Sequence, residues 1–211
     1  MNKEEFLLEI EKMGIIITKE QVEKLDQFYK LLCCWNKKIN LTRIIEEDSV
    51  YLKHFYDSLT IARVVDLSKK ETLCDVGSGA GFPGIVLKII YPNLNMVLID
   101  SLQKRVNYLN QIIKELQLTN IIAIHTRAED YKGKFDIVTA RAVANLSKLL
   151  DYTMHLVKDN GDFVAMKGDI DMELDEELKQ KLEKNYKIIK IDKFLLPKEK
   201  SKRSLIVIEN R

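Results

Sequence analysis

Along roughly the first 65 positions the apolar residues recur at helical spacing. Val22, Leu25, Phe28, Tyr29, Leu32 and Trp35 fall on one face of a helix, and Thr18 with Gln21 makes a capping box at its start. A further helix is expected after Asp48 or Ser49, with Leu52, Phe55, Tyr56 and Leu59 on its apolar side. After Lys70 the pattern changes to short apolar runs alternating with amphipathic stretches. Strands are expected at Thr72–Val76, Met96–Ile99, Ile121–Ile124, Phe135–Ala140, Asp162–Met166, Ile188–Phe194 and Ser204–Ile208. Helices are expected at Gln103–Leu116, Leu146–Val157 and Met172–Lys184. Such alternation predicts βαβ units and a mostly parallel sheet with helices on both faces. The charged loop from Pro197 to Arg203 is too short for a crossover helix, so the last two strands are expected as antiparallel neighbours. The chain therefore reads as an α/β, Rossmann-like core at 66–211, its last strand reversed, behind a helical extension at 1–65.

With 211 residues, 46% hydrophobic and 31% charged, the composition is that of a globular protein able to bury one core. The net charge of +2 says little, but its distribution says more. Lys30, Lys37, Lys38 and Arg43 lie in a stretch without acids, and the segment from Lys187 to Arg211 is strongly basic. These stretches suit a phosphate-facing surface, and equally suit ordinary solvated faces. Cys33, Cys34 and Cys74 form no metal-ligand spacing and are expected as buried free thiols, with no bound metal. The acidic start and the lack of an apolar run near about 18 residues point to a cytoplasmic protein without a membrane span. Of the histidines, His155 falls mid-helix among apolar residues and is expected to be structural. His54 has Asp57 and Ser58 on its own helical face, a cluster that could read a base or lock the extension onto the core.

The densest chemistry follows the first expected strand. Asp75 is followed by Gly77, Gly79, Gly81 and Gly84, and Asp100 closes the next strand 23 residues after Gly77. Glycines let the backbone turn tightly and approach a ligand, and an acid at that strand end can accept from ribose hydroxyls. No lysine follows the glycines as a phosphate loop would need, and Phe82 stands where a dinucleotide loop has its third glycine. The spacing instead fits S-adenosylmethionine, with Asp75 suited to an ammonium. Ala128 and Glu129 follow the third strand, where a backbone amide and a carboxylate would meet the adenine edge. Arg141 closes the fourth strand, able to bind a carboxylate or phosphate or to tie strand to helix, and Lys167 closes the fifth.

Taken together, these residues resemble the glucose-inhibited division protein B family. The resemblance runs through Trp35-Asn36-Lys37-Lys38-Ile39-Asn40-Leu41-Thr42, His54-Phe55-Tyr56-Asp57-Ser58-Leu59, the glycine loop with Asp100 to Arg105, Ala140-Arg141-Ala142 and Lys167-Gly168. It covers nearly the whole chain. It implies a class I S-adenosylmethionine-dependent methyltransferase that modifies N7 of guanine 527 in 16S rRNA of the small ribosomal subunit. It further implies cofactor contacts at Gly77, Phe82, Ala128, Glu129 and Arg141. Substrate contacts would fall at Lys37, Lys38, Asn40, Arg43, His54, Asp57 and Lys167, in a monomer.

Guanine N7 carries a lone pair and no proton, so its methylation needs alignment rather than a general base. Arg141 and Lys167 are accordingly expected to position the reactants. The nearest alternative is an enzyme of the same fold acting on a different RNA, a protein or a small molecule. A nicotinamide oxidoreductase is disfavoured by Phe82, and a non-catalytic RNA-binding module by the intact glycine loop with Asp100.

Overall fold

The computed structural model describes residues 1–173 and 176–210. Seven strands, β1 (Thr72–Val76), β2 (Asn95–Asp100), β3 (Ile121–His125), β4 (Phe135–Arg141), β5 (Val157–Lys167), β6 (Tyr186–Leu195) and β7 (Lys202–Asn210), join in one sheet. Their order is β3-β2-β1-β4-β5-β7-β6. All pairings are parallel except those of β7, which runs antiparallel to both β5 and β6. The central strands are nearly continuous apolar runs because helices cover both faces. The strand order reverses between β1 and β4, and the carboxyl ends on either side of that switch point define the place for a ligand.

The extension begins with α1 (Lys3–Glu11) and α2 (Lys19–Ile39). Helix α2 starts at the expected capping box, Thr18 Oγ1 accepting from the Gln21 amide at 3.2 Å, and ends at Asn40 in the left-handed conformation. Its buried face, Leu25, Phe28 and Leu32, contributes roughly 2 kcal/mol per side chain by leaving water. Those residues share one apolar cluster with Tyr51, Phe55, Leu73, Ile85 and Leu98, so the extension and the sheet are packed on a common core.

Several boundaries differ from expectation. The helix expected after Asp48 or Ser49 already starts as α3 (Glu47–Val50), widens into a π-helical turn at Tyr51–Tyr56, and ends in the short α4 (Asp57–Leu59). Leu52, Phe55, Tyr56 and Leu59 are buried as the pattern required, but no side-chain cap marks the start. After β1 comes α5 (Gly84–Ile90), and after β2 comes α6 (Gln103–Glu115). Helix α7 (Leu146–Thr153) stops short, and β5 begins at Val157 rather than near Asp162. His155 consequently sits exposed on a 3-10 turn, its Nε2 3.0 Å from the Tyr131 carbonyl, instead of inside a helix. Helix α8 (Glu176–Asn185) replaces most of the expected Met172–Lys184 stretch, of which 174–175 lie outside the described residues, as does Arg211. Cys74 is buried as expected, but Cys33 is half-buried and Cys34 exposed, because both lie away from the buried stripe of α2.

Candidate functional site

The turn from β1 into α5 is held open by its own backbone. Gly77 adopts φ +71°, and a Cβ there would stand 2.6 Å from Val143 Cγ2, so only glycine fits. Asp75 is fully buried beneath the loop and its Oδ2 accepts from the Gly84 amide at 2.9 Å. A Cβ on Gly84 would come within 2.7 Å of that oxygen. Asp75 Oδ1 is buried and has no hydrogen-bond partner among the described residues. Burial pushes the Asp75 carboxyl up to about 6, against the pull of its hydrogen bonds and of Arg141. Asp100 is buried too, with Oδ2 accepting from the Gly79 amide and Oδ1 from the Leu102 amide, both at 2.9 Å. It thereby fixes the glycine loop and the start of α6 against one carboxylate.

Two cavities open at this edge of the sheet. The smaller, about 310 Å³, lies over the ends of β1, β2 and β3, between Gly77, Asp100, Ala128, Glu129 and Tyr152. The larger, about 570 Å³, lies over β4, β5 and β7, and takes in His54, Asp57, Arg141, Lys167, Glu173 and Arg203. Val143 lines both.

The larger cavity is organised by one carboxylate from the extension. Asp57 Oδ2 accepts from Arg141 Nη1 at 3.1 Å, and its Oδ1 accepts from Arg203 Nε at 2.9 Å. Arg141 Nη1 also donates to the Lys53 carbonyl at 3.0 Å. Its Nη2 donates to His54 Nδ1 at 3.3 Å. His54 Nδ1 also lies 3.1 Å from the Lys53 carbonyl, and its Nε2 is 3.1 Å from Thr42 Oγ1, so both ring nitrogens are engaged. The Thr42 amide in turn donates to Asn36 Oδ1 at 2.8 Å. Burial, reinforced by Arg141, pulls the His54 imidazole down to about 3, so it is neutral at physiological pH. Lys167 Nζ donates to the Ala144 carbonyl and pairs with Glu173 at 3.0 Å. Glu173 Oε2 also accepts from the Leu146 amide at 2.7 Å, so this pair fastens the Ala142–Asn145 loop.

The expected residues thus separate into groups. Gly77, Asp100, Ala128 and Glu129 line the smaller cavity, and His54, Asp57, Arg141 and Lys167 the larger. Asp75, Gly79 and Phe82 line neither: Asp75 and Gly79 shape the loop through hydrogen bonds, while Phe82 is buried under His54 and Arg141. Arg141 sits within an ion pair tying strand to helix and also faces the larger cavity. Lys37, Lys38, Asn40 and Arg43 are exposed at the end of α2 and in the following loop, outside both cavities, with Lys38 Nζ 5.1 Å from the Trp35 ring centroid. In the carboxy-terminal basic loop, Lys198 pairs with Glu5 and Lys202 with Asp169. Arg203, expected only as part of a phosphate-facing basic loop from Lys198, instead holds Asp57 in the larger cavity. Glu173 was not singled out by sequence reasoning, since only the sheet order brings β7 and the segment after β5 beside β4. Tyr152 was missed because helical spacing alone does not say which cavity a half-buried ring borders.

Comparison with known proteins follows the same lines. Residues 21–206 match the family model GidB, described as rRNA small subunit methyltransferase G. The ribosomal RNA small subunit methyltransferase G of Lactobacillus helveticus is 46% identical over 218 residues, covering 99% of this chain and 91% of the relative. That of Bacillus licheniformis is 44% identical over 218 residues, covering 100% of this chain and 91% of the relative. Among solved structures, a SAM dependent methyltransferase from Aquifex aeolicus superposes with a TM-score of 0.56 at 17% identity, covering 75% of this chain and 92% of that one. The fold is that of class I S-adenosylmethionine-dependent methyltransferases, with the last strand antiparallel.

Proposed function

This chain belongs to the GidB family of small-subunit rRNA methyltransferases, and from that membership we propose that it methylates N7 of guanine 527 in 16S rRNA, as a monomer acting on the small ribosomal subunit with S-adenosylmethionine as donor. The residues at the glycine loop fit that cofactor. Gly77, Asp100, Ala128 and Glu129 surround a cavity of nucleoside size, and the orphaned Asp75 Oδ1 is an acceptor in want of a donor. When bound, the cofactor supplies an electrophilic methyl on a sulfonium.

The observation that carries the N7 reading is the state of the larger cavity. Its acids are engaged, Asp57 with Arg141 and Arg203 and Glu173 with Lys167, and both nitrogens of the neutral His54 are hydrogen-bonded. No general base stands ready there among the described residues, and N7 needs none. Arg141, Lys167 and Arg203 outnumber the acids, which suits a phosphate or the guanine O6. Their part is to bind and orient, an effect of alignment that supplies several kcal/mol of barrier lowering. Lys37, Lys38, Asn40 and Arg43 lie outside this cavity, on a surface suited to flanking phosphates.

The test is methyl transfer from labelled cofactor to small subunits taken from cells that lack the modification, followed by mapping of the labelled nucleotide. Label at N7 of guanine 527 is the expected result, with a transfer rate flat across roughly pH 6.5–9. Label on another nucleotide, or a bell-shaped profile for the transfer step, would sink the proposal.

A further inference from the structure

The smaller cavity has a wall that the glycine-loop pattern does not foresee. Its strand-end walls are Val76, Ile99 and Ala128, with the Asp100 and Glu129 carboxylates at the rim. Val143 and Tyr152 complete the lining. Tyr152 belongs to α7, which follows β4, and packs against the apolar cluster that contains Ala128, Leu149 and Ile99. It is the one aromatic residue lining this cavity among the described residues, and its hydroxyl has no hydrogen-bond partner among them. At about 310 Å³ the cavity sits at the low end of ligand pockets, which run from roughly 300 Å³ upwards, and so suits a nucleoside rather than the whole cofactor. A purine asks for apolar surface on its faces and polar groups at its edges, and this cavity offers that division.

We propose that Tyr152 is a cofactor-binding residue, its ring forming the aromatic wall against which the adenine of S-adenosylmethionine rests. The inference rests on the cofactor reading above and adds to it a residue outside the strand-end motifs. Stacking of a base on an aromatic ring is broken by truncation and survives a change at the ring's edge. The contribution therefore belongs to the ring, since no partner holds the hydroxyl in place.

Isothermal titration of the full chain with S-adenosylhomocysteine and with 5′-methylthioadenosine tests this without any turnover. The second ligand lacks the amino-acid end, so a nucleoside contact must act on both alike. Tyr152→Ala is expected to weaken both by about tenfold and by the same factor, whereas Tyr152→Phe should stay within about twofold of the parent chain. If Tyr152→Ala fails to fold, Tyr152→Leu, which keeps apolar bulk on α7, should still weaken both ligands equally. Unchanged affinity in the truncated variant, or loss confined to S-adenosylhomocysteine, would overturn the assignment while leaving the cofactor reading intact. If the parent chain binds neither ligand, the cofactor reading itself falls, and this inference with it.

Discussion

The imidazole of His54 lies flat on the ring of Phe82, with centroids 4.3 Å apart and planes 17° from parallel. One residue comes from the π-helical turn of the extension and the other from the glycine loop, so this contact joins the two regions directly. Phe82 also touches Phe28 of α2, at 5.3 Å between centroids, and carries the Arg141 guanidinium 5.2 Å above it. Truncating Phe82 to Ala should therefore lower stability by about 3–4 kcal/mol in urea unfolding. It should also raise the His54 pKa, read by NMR, because water would reach the ring. A loss under about 1 kcal/mol would show that the stack is not a core contact.

Two buried groups oppose each other in the pH dependence of stability. His54 drops from 6.5 when unfolded to about 3 when folded, so its contribution is intact above 6.5 and is lost as the pH falls towards 3. Asp75 rises from 3.8 to about 6, so the folded state takes up its proton first and gains stability as the pH falls from 6 to 3.8. Each contributes up to roughly 1.4 kcal/mol per pH unit. Their effects nearly cancel between about pH 4 and 6. Relative to the parent chain, His54→Gln should gain stability on acidification across that range, and Asp75→Asn should lose it. Urea midpoints at three pH values would settle the signs, and parallel curves for all three proteins would refute the account.

Asp57 is a buried carboxylate between two guanidinium groups, its side chain 6% exposed. Asp57→Ala leaves Arg141 and Arg203 facing each other without a counter-charge and should destabilise the fold by about 3 kcal/mol. Adding Arg203→Met to that variant should restore part of the loss, by removing one uncompensated cation. If the double variant is less stable than the single one, the repulsion is not what drives the effect.

Lys37, Lys38 and Arg43 are exposed cations beyond the cavities, fit for phosphates and carrying no base readout. Each change to Gln should reduce the slope of log affinity against log salt by about 1 and weaken binding to rRNA fragments of different sequence alike. An unchanged slope in all three would remove this surface from the binding site.

Lys167 and Glu173 fasten the loop that carries Val143 between the two cavities. Lys167→Met should speed amide hydrogen exchange at the Leu146 amide and through 142–145, while β5 stays protected. Methyl transfer should fall with it, through lost positioning. Exchange indistinguishable from the parent chain would mean that the loop is held by its backbone alone.

The order of strands and helices followed from the sequence because apolar period and turn residues are local signals. A parallel sheet buried on both faces leaves little choice for runs such as Leu73–Val76 or Phe163–Met166. The glycine loop and Asp100 were legible for the same reason: a turn that demands φ beyond +20° at Gly77 leaves its mark in the residues themselves. Helix ends were less legible, as at α3 and α7, where packing rather than a cap decides the boundary. The partnership among distant side chains, by contrast, comes from the packing of the fold. Asp57 lies 84 positions from Arg141 and 146 from Arg203, and no local pattern announces which charges will share a buried site. The same holds for Tyr152, which borders the nucleoside-sized cavity only because β4 lies next to β1 in the sheet. Local patterns along the chain specify the elements and the class of ligand loop. Which side chains meet across that loop was decided by three-dimensional packing, because burial and charge compensation act between neighbours in space and not along the chain.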